Sequence, residues 1–276
     1  MPEPALEPVP SRKQYFDSLE SYLAYCEQPS DMPASLTKSR HNGRQEFMGT
    51  VTFAEAIDLA RHGWTEGATM AKEYSAELHS KLDHPEAIEE WKRTINGGGS
   101  IDMAAFNQGR PDCFLNFEQG EDAERFISIH YNARLSGAVD TAACVRRGVM
   151  VAALIDALES NGYRTRFTFA FANSAIASNY TVEVYVTVKD YSESLDLDKI
   201  VFLTAHPAAH RRINWSFKEL LPDMERRHLD VGDGYGGPAR LTDPADLSFN
   251  ECNNFHTTDD AAAYIRELLT KYEVTI

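Results

Sequence analysis

The sequence predicts an α/β fold, a mostly parallel sheet with helices on both faces and one antiparallel strand. Residues 127–131 alternate like a strand and lead, through a polar loop, into a helix whose residues 151–158 carry apolar side chains at i, i+3, i+4 and i+7. Phenylalanines alternate along 165–171, and valines alternate along 181–189. Only the eight residues 173–180 separate these two strands. A parallel crossover needs about a dozen or more residues, so we expect this pair to be antiparallel.

The first part of the chain predicts a tail followed by helices. Four prolines occur near the start, so we expect residues 1–14 to be a disordered tail. Thr52 and Glu55 have the spacing of a capping box, in which each side chain satisfies a main-chain N–H at a helix start. A later helix is predicted from Pro85, a residue suited to a first helical position, to Ile95. Residues 15–96 are therefore expected to form a helical N-terminal region.

The glycine-rich run Asn96–Ser100 is the clearest break in the chain. We place a domain boundary there, so residues 97–276 are expected to form the α/β domain. Downstream, residues 208–220 are predicted to be helical. A last helix is expected to begin at Thr257 or Thr258.

Composition limits the classes of function. The chain has 276 residues, 43% of them hydrophobic, and a net charge of −15, which predicts a packed core and disfavours binding to nucleic acid. The four cysteines show no CxxC spacing and indicate a reducing compartment. The start lacks the pattern of a signal peptide, and no apolar run is long enough to span a membrane. We expect a cytoplasmic protein, with a virion location as the alternative.

The order of elements over residues 125–272 (strand, polar loop, helix, strand, antiparallel strand, further helix–strand units) resembles the von Willebrand factor A-like fold. The metal site of that fold uses an Asp-x-Ser-x-Ser run just after the first strand. The corresponding run here is Asn132–Ser136, Asn-Ala-Arg-Leu-Ser. Asn132 lacks the carboxylate charge, and Arg134 puts a cation where a hydroxyl would face Mg²⁺. We therefore expect a degenerate site that binds no metal.

A second resemblance is to an uncharacterised family common in bacteriophages and prophages. The segments that carry it are Phe47–Ala56, Gly63–Gly67, Arg146–Gly148, His206–Ala208 and Arg211 with Arg212. This resemblance covers most of residues 15–272. It implies a phage-encoded protein of unknown role, with no catalytic residues to carry over. Some phages pair von Willebrand A-like proteins with a hexameric ATPase, so such an ATPase is implied as a partner by analogy.

His206 and His210 have the i, i+4 spacing that places two imidazoles on one helix face for zinc. Pro207 lies between them and interrupts the helix that would align them. The alternative is a helix start, with Pro207 at its first position and His210, Arg211 and Arg212 on an exposed face. We favour that alternative and keep the two histidines as a secondary site candidate.

The polar loop after the first strand of the core unit is the main candidate for a ligand or partner site. Such loops lie at the carboxyl ends of strands, where α/β proteins bind ligands. The candidate residues on and after it are Asn132, Arg134, Ser136, Asp140, Arg146 and Arg147. The alternative interpretation is a helix cap, with Asp140 at the N-cap and Ser136 holding the turn.

Residues 232–237 fit the pattern GxGxxG, but Pro238 follows them and no helix opens. Asp230 and Asp233 would also repel a phosphate. We expect a contact loop rather than a dinucleotide site, and we include both aspartates among the candidate contact residues.

These features predict a non-enzymatic protein-interaction module with no cofactor and an unknown protein partner. One alternative is a structural component of the virion. The other is an enzyme of unrecognised type that uses loops 132–140 and 230–237. That enzyme requires the two loops to converge on a pocket that contains a titratable group with a shifted pKa.

Overall fold

The computed structural model describes residues 10–42, 45–81, 89–95, 100–119, 125–133, 141–160, 163–175 and 179–250, together with residues 259, 263 and 267. Three predicted features fall mainly outside the described residues. They are the first nine residues of the tail, most of the last helix, and the loop residues Arg134, Ser136 and Asp140.

Strands and helices are interleaved along the chain. The described strands are β1 Arg12–Phe16, β2 Glu89–Thr94, β3 Ser100–Ile101, β4 Phe114–Gln119, β5 Arg125–Asn132, β6 Tyr163–Ser174, β7 Thr181–Lys189, β8 Gly237–Pro238 and β9 Leu247–Phe249. The described α-helices are α1 Leu19–Cys26, α2 Gln45–Met48, α3 Phe53–His62, α4 Thr65–Lys81, α5 Met103–Asn107, α6 Thr141–Ser160, α7 Leu197–Ala205, α8 Asn214–Glu219 and α9 Asp223–His228. A 3₁₀ turn covers Lys38–Arg40, and a π turn covers Ala209–Ile213.

The main sheet confirms the predicted fold class. Its strand order is β1-β7-β6-β5-β9, and β8 pairs with β6 beside this path. Strand β5 is parallel to both β6 and β9, and β1 is parallel to β7. Strands β6 and β7 are antiparallel, as the short connection between them predicts. The protein is therefore α/β, with a mostly parallel mixed sheet flanked by helices.

A second, smaller sheet has the order β2-β4-β3 and is antiparallel. The predicted helix from Pro85 to Ile95 is wrong over Glu89–Thr94, which forms β2, and its first four residues lie outside the described part of the chain. The main-chain groups of β2 pair with β4, and this pairing overrides the helix preference of the local Glu, Lys and Arg residues.

The core lies between helices and one face of the main sheet. Phe167, Phe169 and Phe171 alternate along β6 and are fully buried in the same cluster as residues of α6 and α7. Helices α6 and α7 touch at Gly148, where an added Cβ would lie only 2.2 Å from the Thr204 carbonyl oxygen. The absence of a side chain at Gly148 therefore sets the spacing of these two helices.

The N-terminal elements pack into the same core. Strand β1 begins at Arg12, so the last residues of the predicted disordered tail are ordered by parallel pairing with β7. The Tyr22 hydroxyl on α1 donates to Asn214 Oδ1 at 2.8 Å. Thr52 caps α3 by accepting from the Glu55 N–H at 3.1 Å, as predicted. The domain boundary near residue 97 stays a prediction.

Candidate functional site

The helical stretch that begins at Pro207 provides most of the residues of the candidate site, a cavity at one edge of the main sheet. His206 ends α7, and Pro207 takes the first position of the next helical stretch, as predicted. Residues Ala209–Ile213 then form the π turn, which runs directly into α8. Such a turn holds one more residue than an α-helical turn and is frequent at functional sites.

The prediction that His210, Arg211 and Arg212 lie on an exposed face is wrong. These residues are 4%, 4% and 0% exposed, because residues 38–42 and 45–51 cover this part of the helix. Arg212 donates hydrogen bonds to four main-chain carbonyls of those two ranges, those of Ser39, His41, Thr50 and Val51, at 2.7–3.0 Å. The buried guanidinium thus holds the N-terminal segment against the helix.

Two neighbouring contacts strengthen this attachment. Arg211 donates to the Phe47 carbonyl at 2.6 Å, and its guanidinium carbon lies 4.0 Å from the centre of the Phe47 ring. The Trp64 ring meets the His206 ring edge to face, with 4.9 Å between their centres. Four of the segments singled out in the sequence therefore make contacts around the start of this helix.

A cavity of about 270 Å³ lies beside the helix at the carboxyl ends of β5 and β6. This is the edge of an α/β sheet at which ligands bind. Its described lining consists of the strand-end residues Ala133, Phe171 and Asn173, the helix residues His210, Arg211, Asn214, Trp215 and Lys218, and the loop residues Gly234–Pro238. The cavity has room for a small molecule.

The cavity is cationic although the whole chain carries a charge of −15. Arg211 and Lys218 line it, and its described lining contains no acidic side chain. Lys218 Nζ donates to the Tyr235 carbonyl at 3.1 Å and lies 5.8 Å from the centre of the Phe171 ring. Burial lowers the pKa of the Lys218 amine to about 7. This amine therefore changes between its charged and neutral forms near physiological pH.

His210 is a polar side chain without a hydrogen bond at either ring nitrogen among the described residues. Burial, and then the charges of Arg147 and Arg211, lower the pKa of His210 to about 3, while a weak contact with the Thr204 main chain acts in the opposite direction. The imidazole is therefore neutral at physiological pH, with one N–H donor and one acceptor nitrogen. A buried polar group without a hydrogen-bond partner destabilises the folded protein by about 1–3 kcal/mol, and a ligand that bonded to the ring would remove this cost.

Arg147 adds a further buried charge next to His210. It is 3% exposed, and its Nη2 donates to the carbonyls of Asn132 at 3.3 Å and Phe249 at 3.2 Å. Its guanidinium carbon lies 4.7 Å from the centre of the Tyr131 ring. None of these described contacts is with a carboxylate, so Arg147 reinforces the positive potential of the region.

The predicted loop residues have different roles. Asn132 is buried, where its Nδ2 donates to the Ala239 carbonyl at 3.0 Å and its Oδ1 accepts from the Ala172 N–H at 3.3 Å. Its side chain thus ties β5 to neighbouring segments. Arg146 is exposed, and its position gives it no part in the cavity lining.

The two aspartates near the glycine-rich loop also stay outside the cavity lining. Asp233 is exposed, and its Oδ1 lies 3.6 Å from Lys38 Nζ. Asp230 adopts a left-handed conformation, with φ 53°, and its carbonyl accepts three hydrogen bonds from the following turn. The loops themselves do approach each other, since Ala133 and Gly234–Gly237 line the same cavity.

Asn214 and Lys218 were not among the site residues that the sequence predicted. A signal existed, because His210, Asn214 and Lys218 recur every four residues and so lie on one side of a helix. The apolar stripe that includes Ile213 and Phe217 identified only one buried side of this helix, whereas two sides are buried.

The described residues hold no group of three or more His, Cys, Asp or Glu side chains placed to bind a metal ion. His206 and His210 accordingly have no third ligand in that part of the chain. Among the same residues, no helix is both long enough and apolar enough to cross a bilayer.

Comparisons with known proteins give a family and no function. No curated protein matched the chain, and no solved structure matched it. A family model described as Domain of unknown function (DUF7192) matches residues 6–276. Because this match covers almost the whole sequence, the chain belongs to the DUF7192 family.

Proposed function

We propose that this protein binds a small anionic molecule in the cavity at the carboxyl ends of β5 and β6. The observation that carries the proposal is the buried amine of Lys218, which has no ion pair with a described carboxylate and lines a cavity whose described lining has no acidic side chain. Burying the charged form of Lys218 without a counter-charge costs several kcal/mol, even after the surroundings relax. An anion in the cavity would offset that cost, and His210 and Asn214 offer polar groups to orient it.

The shared chemistry is that of a carboxylate or a phosphate, and calorimetry distinguishes the two. The purified protein is titrated with inorganic phosphate, sulfate, acetate and glycolate, with ionic strength held constant by KCl. We expect saturable one-to-one binding of at least one of these anions, and about a tenfold or greater loss of affinity in Lys218→Met. Arg166→Met is the matched control, because Arg166 is half-exposed and pairs with Asp190 away from the cavity. Failure of every anion to bind above the chloride background contradicts the proposal.

A role in protein interaction is the second proposal, and exposed apolar side chains favour it. Ile95, Ile101, Met103 and Phe106 are between 45% and 68% exposed near the small sheet. A partner protein would bury them, and a hexameric ATPase is one candidate by analogy. Pulldown with wild type and with the double variant Met103→Asp, Phe106→Asp tests this role. A partner set that is identical for both proteins contradicts the use of this surface.

The phage origin and the von Willebrand A-like half also belong to the proposal. The succession β5, α6, β6, antiparallel β7 and α7 supports the fold likeness. The use of the Asn132 amide in structural hydrogen bonds supports the degenerate metal site. Genes for capsid or tail proteins next to this one, and the protein itself in purified particles, would favour a virion component. An adjacent ATPase gene would favour the interaction module.

A further inference from the structure

Lys218 is placed like a reactive amine rather than like a structural cation. It is 4% exposed, and its amine lies in the cavity with a single hydrogen bond, to the Tyr235 carbonyl, among the described residues. Its Nζ has no ion pair with a described carboxylate. The aromatic ring of Phe171 lies on one side of the amine. Because a charged lysine has three N–H donors, two of the three have no acceptor among the described residues.

We infer that Lys218 forms an imine with the carbonyl carbon of a small oxo acid whose acid group lies beside Arg211 in the same cavity. This inference rests on the proposed function and names the ligand class. The cavity of about 270 Å³ suits a ligand of this size, and its described lining has no carboxylate that would compete for the amine or repel the acid. The polar side chains of His210 and Asn214 complete the set of groups that face such a ligand.

The reaction needs no oxidant or reductant. The unprotonated Nζ attacks the carbonyl carbon, a C–N bond forms, and one nitrogen proton passes to the carbonyl oxygen. That oxygen then leaves as water with a second proton, and the C=N bond of the imine forms. The sum is one amine and one carbonyl giving one imine and one water.

The environment of Lys218 favours the neutral amine that this reaction requires. Burial lowers the pKa of the amine to about 7, and desolvation is one of the usual ways in which a protein activates a lysine that attacks carbonyl groups. At pH 7 an exposed lysine has only about one neutral amine in a few thousand molecules. Lys218 therefore has a large excess of the reactive form over the surface lysines.

Reductive trapping tests the inference on the full-length protein. The protein is incubated at pH 7 with glyoxylate, the smallest oxo acid, and sodium cyanoborohydride, which reduces an imine to a stable secondary amine. Intact mass then counts the carboxymethyl groups added, and peptide mapping locates them. Among the lysines we expect one fast site, Lys218, labelled about a hundredfold faster than any surface lysine, and peptide mapping separates it from the α-amino group of the chain, whose ordinary pKa is about 8. An excess of glycolate, which has the acid but no carbonyl, should slow the labelling.

Two variants serve as controls for the labelling, and the result is then compared with the anion binding measured by calorimetry. Lys218→Met should abolish the fast labelling, while Lys199→Met, which removes a partly exposed lysine paired with Asp196, should leave it unchanged. Mapping of the wild-type protein locates the label independently of how Lys218→Met folds. Labelling spread evenly over surface lysines overturns the inference. If glycolate or another anion binds in calorimetry while Lys218 is not labelled, the proposed function stands and the imine is excluded, whereas the absence of both binding and labelling removes both.

Discussion

Lys218→Met should make the protein more stable at neutral pH, by an amount that falls as pH rises. The pKa of Lys218 is about 7 in the folded protein, against 10.5 for an ordinary exposed lysine. Below pH 7 both states bind the proton, so the whole cost of the buried charge, about 5 kcal/mol, opposes folding. Between pH 7 and 10.5 the unfolded chain holds the proton and the folded protein does not. Stability therefore rises there by about 1.4 kcal/mol per pH unit.

Methionine keeps most of the length of the side chain and removes the charge. We expect a gain in unfolding free energy of about 4 kcal/mol at pH 7 and about 2 kcal/mol at pH 9. The Tyr235 carbonyl loses its donor in the variant, which subtracts about 1 kcal/mol at every pH. The difference between the two pH values is therefore the sharper signature.

Urea denaturation of wild type and variant at pH 7, 8 and 9, without added anion, measures this difference. Lys199→Met is the control. Because its side chain is partly exposed and paired with Asp196, we expect a change within about 0.5 kcal/mol at each pH. A stability difference between wild type and Lys218→Met that does not vary with pH would refute the reasoning, since a charged amine would then carry no burial cost.

Three further outcomes are expected. Gly148→Ala should destabilise the protein by about 2–3 kcal/mol in urea denaturation, because the new methyl group meets the backbone of the neighbouring helix. The control Gly109→Ala has open space around it but a positive φ, and it should cost about 1 kcal/mol. Equal effects of the two substitutions would contradict the close approach of the helices at Gly148. Arg212→Met should cost about 3–5 kcal/mol through its four carbonyls, against at most about 1 kcal/mol for the half-exposed Arg166→Met. The NMR signals of the His210 ring should not titrate between pH 5 and 8, because burial holds the pKa of this ring at about 3, and a midpoint near 6.5 would contradict its burial.

The parts of the fold that depend on local sequence were predictable. The short connection between β6 and β7 sets their antiparallel pairing, and Thr52 with Glu55 starts α3 through contacts within a few residues. Strand β2 was not predictable in this way. Its residues favour a helix locally, and its strand conformation depends on β4, about 25 residues later in the chain.

The site was less predictable because its burial comes from distant segments. The sequence predicted that the polar residues His210, Arg211 and Arg212 are exposed, but residues 38–42 and 45–51 cover them. The sequence around this helix contains no signal that predicts its burial by those residues. The burial of Lys218 was unpredictable for a related reason. When a helix is buried on two sides, the polar residues on its second side show the sequence pattern of an exposed face.

The most direct test of the anion site is the pKa of the Lys218 amine itself, measured by heteronuclear NMR with and without saturating phosphate or glycolate. We expect a midpoint at about pH 7 in the free protein and a rise when an anion binds, because a bound negative charge favours the ammonium form. A midpoint close to that of an ordinary lysine, unchanged by either anion, would contradict it.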